Sequence, residues 1–120
     1  MKVIDIIKSE KPTLSVEVFP PKTSANFESV NCATEKIADL KPSYMSVTYG
    51  AGGGTSDYTV DIAENLLKKG VVPLTHLTCV SSNEEKIDKE LLKIKSKGIK
   101  NILALRGNWN HKLSHLCMSQ

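Results

Sequence analysis

Stretches of this chain with apolar residues at every second position give way to stretches with apolar residues three or four apart, three times in succession. That switch of period marks strands followed by helices. Leu14 to Phe19 alternates and ends at Pro20-Pro21, predicting a first strand. Asn26 is placed to cap a helix with apolar positions Phe27, Val30, Ala33, Ile37 and Leu40, and Pro42 lies just beyond it. Tyr44 to Tyr49 predicts the second strand. Ser56 or Asp57 is placed to cap the next helix, which buries Val60, Ala63, Leu66 and Leu67. Gly70 then stands where a left-handed C-terminal residue is wanted. Val72 to Cys79 predicts the third strand. Ser82 and Glu85 have the spacing of a capping box before a helix that buries Ile87, Leu91 and Ile94 and stops at Gly98. Asn101 to Leu105 predicts the fourth strand. Ahead of all this, Val3, Ile6 and Ile7 suggest a short helix within Met1 to Ser9, which Pro12 cannot continue.

The order β-α-β-α-β-α-β, in units about 28 residues long, implies parallel strands, because only a crossover helix reaches a parallel neighbour. Two α/β architectures fit: an open doubly wound sheet, or the first four strands of a (β/α)8 TIM barrel. The regular spacing favours the barrel. So do Glu17, Ser46, Thr48, Thr75 and His76, polar residues that a dry two-sided sheet accommodates poorly.

Composition narrows the function classes. Sixteen basic against 13 acidic residues leave a net charge of +3, with the lysines scattered along helices, so nucleic acid is not an expected partner. Aromatic residues at 5% provide little for base stacking. No stretch approaches the roughly 18 apolar residues of a membrane span, and the N-terminus does not resemble a secretory signal. A cytosolic location is expected. Cys32, Cys79 and Cys117 form no C-x-x-C pair and are expected as free, buried thiols. From Trp109 to Gln120 no period can be traced; the segment holds the only Trp and no acidic residue. It reads as a separate tail after a domain over residues 1–108, of a kind that a frameshift, early termination or an ordinary disordered terminus would give.

Four positions near strand ends carry chemistry. Glu17 lies within strand one on the side of Ser15 and Phe19. A carboxylate buried there is either paired or protonated, which suits general acid work, and a structural Glu bonded to a neighbouring strand is an equal alternative. Thr48 closes strand two before Gly50-Ala51-Gly52-Gly53-Gly54, a run that frees the backbone for a ligand or simply makes a connector. It matches neither a Walker loop nor a dinucleotide fingerprint. His76, in strand three, is more often a hydrogen-bonded core residue than a catalyst. No metal site is spaced around it; His111 and His115, four apart in the tail, lack a metalloprotease context. Arg106-Gly107-Asn108 follows strand four, where a cation could hold a phosphate or a ring oxygen. In a barrel such positions converge on the C-terminal rim.

Ser15-Val16-Glu17-Val18-Phe19-Pro20-Pro21-Lys22, Ser46-Val47-Thr48-Tyr49-Gly50-Ala51, His76-Leu77-Thr78-Cys79 and Ala104-Leu105-Arg106-Gly107 together resemble the methylenetetrahydrofolate reductase family, in the family's order and nearly its spacing. The resemblance implies a flavoprotein barrel with FAD at the rim, reduced by NADH or NADPH. That barrel converts 5,10-methylenetetrahydrofolate to 5-methyltetrahydrofolate, a step of one-carbon metabolism that feeds methionine biosynthesis. It further implies that Glu17 is the general acid, that Thr48 lies near nicotinamide and flavin, and that Tyr49, Ala51, His76, Arg106 and Gly107 contact the flavin. Asn108 stands where the family has Asp, a residue near flavin and folate, and this exchange is expected to change catalysis. The expected partner is the folate substrate, without nucleic acid or membrane, and the full-length protein is expected to form a homo-oligomer. The rival readings are a truncated non-enzymatic chain and a half-barrel binding module that pairs with another chain.

Overall fold

The computed structural model describes residues 2–9, 11–21, 23–49, 56–78 and 83–105. Its elements in chain order are α1 (Val3–Lys8), β1 (Ser15–Val18), α2 (Phe27–Ala38), β2 (Tyr44–Val47), α3 (Ser56–Lys68), β3 (Pro73–Thr78), α4 (Glu84–Ser96) and β4 (Ile102–Leu105). All four strands are parallel, and their spatial order β1-β2-β3-β4 follows the chain. A doubly wound sheet reverses its strand order at a switch point, and no reversal occurs among the described strands. Adding each strand on the same side with right-handed crossovers places the three crossover helices, α2, α3 and α4, on one face. The result is a four-stranded α/β sheet that fits a segment of a TIM barrel.

Burial largely follows the pleat in β1, β2 and β3, whereas β4 is mostly exposed on both faces. Val18, Met45, Val47, Thr75 and Leu77 point toward the helices and are buried, joined there by Val60, Ile62, Ala63 and Leu66 of α3. The alternate residues Glu17, Ser46, Leu74 and Leu103 lie on the other face and retain exposure. Thr75 is therefore a correction. It lies on the helix side, fully buried, and its hydroxyl donates to the Asn101 carbonyl at 3.0 Å, which makes burial tolerable.

Helix ends repeat one device. Gly70 and Gly98 both have φ +81°, as the sequence requires of them. After α3, Gly70 N–H donates to Leu67 O and Val71 N–H to Leu66 O. After α4, Gly98 donates to Lys95 O and Ile99 to Ile94 O. These are Schellman endings, with the usual apolar contact supplied by buried Val71 on Leu66 and Ile99 on Ile94. After α2 the same place is taken by Lys41, at φ 54°, and Pro42 follows it without an N–H to give.

Several local expectations are corrected. Asn26 does not cap α2. It ends a 3₁₀ turn, Ser24–Asn26, has helical backbone angles and makes no capping bond. Ala33 on α2 and Leu40 beyond its end are exposed, and the buried positions of α2 are Thr34 and Ala38. Thr34 can be buried because its hydroxyl donates to Val30 O at 2.7 Å. The cap of α4 is Asn83, whose side chain accepts from Lys86 N–H at 2.8 Å, in place of the expected Ser82 box. Leu91 is exposed, while Ile87 and Ile94 are buried as expected. Cys32 is exposed, contrary to a buried thiol; Cys79 and Cys117 lie outside the described residues. No helix among the described residues is long and apolar enough to cross a membrane.

Candidate functional site

Register brings the strand-borne polar residues together on the face that the helices leave bare. Glu17 of β1 pairs with Ser46 of β2, and Ser46 with Leu74 of β3. One pleat further on, His76 pairs with Leu103 of β4. Glu17 and His76 thus sit on strands separated by β2, yet His76 Nε2 lies 3.9 Å from Glu17 Oε1. The expectation of a buried carboxylate is corrected here. The Glu17 side chain is 50% exposed, and His76 is the buried member of the pair. Water therefore reaches the carboxyl group.

Thr48 stands at the same end of the sheet. Its N–H donates to Val18 O at 2.9 Å, extending the ladder one residue past β2. Its carbonyl accepts from the hydroxyl of Thr59 at 2.9 Å. Thr59 is 1% exposed on the sheet side of α3, so the last peptide of β2 is tied to the helix behind it. Sequence reasoning missed Thr59; the available signal was a Thr inside the buried stripe of a helix, where it needs an acceptor. Tyr49 follows, half-buried. Ala51, Arg106, Gly107 and Asn108 lie outside the described residues, as does the glycine run.

Phe19, just past β1, is 68% exposed and Leu103 is 41% exposed. These exposed apolar residues share the sheet face that carries the imidazole of His76 and the carboxyl of Glu17. That combination suits a planar ring with polar edges. No cluster of three or more metal-ligating side chains occurs among the described residues.

Two other polar features lie elsewhere. Glu64 on α3 accepts from Lys97 at 3.2 Å and lies 3.7 Å from Lys68. The Lys97 hydrogen bond foremost holds its carboxyl below the ordinary glutamate range. A cleft of about 330 Å³, lined by Gly70, Val71, Pro73, Gly98, Lys100 and Asn101 among others, opens at the N-terminal end of the strands. In barrels that end serves stability and the opposite end serves chemistry. Asn101, also missed from sequence, works there: its side chain accepts from Val3 N–H at 2.9 Å and its carbonyl from Thr75 N–H at 3.1 Å.

Comparison with known proteins bears on the chemistry. A family model described as methylenetetrahydrofolate reductase matches residues 2–119. The chain is 40% identical over 116 residues to methylenetetrahydrofolate reductase (NADH) 1 of Arabidopsis thaliana, covering 92% of this chain and 20% of that protein. It is 39% identical over 111 residues to the Zea mays protein of the same name, covering 92% and 19% respectively. With the 5,10-methylenetetrahydrofolate reductase of Buchnera aphidicola, identity is 39% over 95 residues, 78% of this chain and 32% of that protein. The chain thus spans about one fifth of the plant relatives' length and about one third of the bacterial relative's.

Proposed function

The chain belongs to the methylenetetrahydrofolate reductase family, and from that premise we propose that it forms the N-terminal part of a barrel that reduces 5,10-methylenetetrahydrofolate to 5-methyltetrahydrofolate. The observation that carries the reading is Glu17 standing beside His76 on the bare, C-terminal half of the sheet, where the family motifs put proton transfer. Glu17 is the proton donor to the substrate nitrogen that leaves carbon as the five-membered ring opens to a 5-iminium cation. Half exposure leaves its carboxyl accessible to a bound substrate and to re-protonation from water.

Thr48, Tyr49 and His76, with Ala51, Arg106, Gly107 and Asn108, would hold FAD, and their donors fit the ring edge and phosphates of that group. When bound, a flavin supplies the hydride for the iminium carbon after reduction by NADH or NADPH. The chain's own part would be to hold in place the strand ends that bear these residues. The Thr59 bond to Thr48 O holds the end of β2, and the sheet register holds His76. NADH is the donor printed in the names of the plant relatives. With Asn108 in place of a family Asp, a negative charge that would steady the cationic iminium is lacking.

One observation favours a second reading, a half-barrel module completed by another chain. Among the described residues β1 and β4 have no strand partner on their outer edges, and unpaired edges are templates for pairing. Size-exclusion chromatography of the 120-residue chain separates the two readings: dimers without FAD support the module. The catalytic reading is tested in a protein of reductase length that carries these residues. Rapid mixing follows reduction of the flavin by NAD(P)H and its reoxidation by folate separately. Glu17→Gln is expected to keep the first and to slow the second by roughly 10²- to 10⁴-fold. Equal loss in both half-reactions refutes the role of Glu17.

A further inference from the structure

We propose that His76 is a positioning residue for Glu17, holding the carboxyl group at the place from which it donates its proton. The inference rests on the reading of Glu17 as proton donor and adds what orients that donor. Backbones two strands apart are about 9.5 Å apart, so Glu17 and His76 meet only because the residues between them on β2 are small. Ser46 pairs with Glu17, and Thr48 follows on the same side. A larger side chain at Ser46 would stand between carboxyl and imidazole.

The pair is asymmetric. The imidazole is buried on a strand whose backbone is held by the pairing of His76 with Leu103, whereas half of the Glu17 side chain is open to solvent. A side chain with that freedom samples several rotamers, and a fixed partner 3.9 Å away selects among them. A torsional adjustment of about 1 Å closes the gap to hydrogen-bond length. Histidine suits the task because its ring nitrogen serves either proton state of the carboxyl group. Unprotonated Nε2 accepts from the carboxylic acid, and protonated Nε2 donates to the carboxylate. A lysine could only donate and would favour the ionised form, which cannot act as an acid. Among the described residues no other titratable side chain forms an ion pair with either group.

A double-mutant cycle tests this in the reductase-length protein, read on the folate half-reaction. His76→Ala is expected to slow that step about 10- to 100-fold, the cost of misplacing a reacting group by about 1 Å. In the Glu17→Gln background the same change is expected to cost at least about 5-fold less, because no proton donor is left to orient and only the contact of His76 with the flavin is lost. His76→Gln, which keeps a donor and an acceptor, is expected to recover part of the loss. Effects of Glu17→Gln and His76→Ala that simply multiply would overturn the proposal while leaving Glu17 as the donor. A Glu17→Gln variant with normal folate reduction would overturn both readings. A second measurement uses the 120-residue chain itself. Glu17→Gln is expected to move the ¹⁵N imidazole resonances of His76. Unmoved His76 signals in a chain with dispersed amide spectra would refute the contact.

Discussion

The two faces of the sheet are made from the same strands and obey opposite rules. Toward the helices, Met45 and Val47 are wholly buried, and the buried hydroxyl of Thr75 has its partner in the Asn101 carbonyl. Toward the bare side, Glu17, Phe19 and Leu103 remain open, and Glu17 meets His76 at a distance slightly too long for a hydrogen bond. One face has spent its freedom on packing, and the other has kept it for a ligand. The difference teaches that stability and chemistry are separable here by residue parity along each strand.

Breaking the helix-side face should have the largest effect. Met45→Ala is expected to destabilise the fold by about 2–5 kcal/mol, the range for truncating a buried aliphatic side chain, read as a lower urea midpoint with little change in slope. Thr59→Val comes next. It leaves the Thr48 carbonyl without its donor, at a cost of about 1–3 kcal/mol, and Thr59→Ser should restore most of it. Were Thr59→Val neutral, the end of β2 would not depend on α3. Lys41→Gly should act in the opposite direction. Relief of a left-handed non-glycine residue is expected to raise stability by about 0.5–1 kcal/mol, visible as an increase in Tm. Phe19→Ser, on the open face, should change stability by less than about 0.5 kcal/mol; a loss as large as that of Met45→Ala would show that the two faces are not distinct.

The smallest effect belongs to Glu64. Its carboxyl is held below the ordinary glutamate range by Lys97, so the stability it adds is present above that range and lost as pH falls through the lowered value. The difference in urea midpoint between the native chain and Glu64→Gln should shrink as pH drops from about 6 to about 3. A difference that grows on acidification would reverse the sign of the argument.

Which parts of this were legible in the sequence follows from how local each signal is. The four strands, their parallel order and the glycine endings at Gly70 and Gly98 rest on patterns within one element, and they appear in the structure as expected. Lys41 was not legible as a left-handed residue, because Pro42 beside it suffices to end a helix without one. Asn83 and Ser82 are both good caps by residue type, and residue type alone does not choose between them. On α2 the pattern placed Ala33 inside because it is apolar, whereas the structure buries Thr34, which hides its hydroxyl against its own helix. The site was legible as residue types at strand ends. That Glu17 is open and reaches His76 across β2 was not, since parity gives the side of the sheet and not the distance between alternate strands.

The bond from Val3 N–H to the Asn101 side chain joins positions near opposite ends of the described chain. During synthesis at about 5–20 residues per second, α1 emerges before the other described elements, yet its anchor is made only seconds later. Six residues are too few for a helix to persist alone in water. The first helix in the chain is therefore among the last to become permanent. Its docking reports that β1, β2 and β3 already lie in order beneath the segment carrying Asn101, much as a clasp closes only on a finished band.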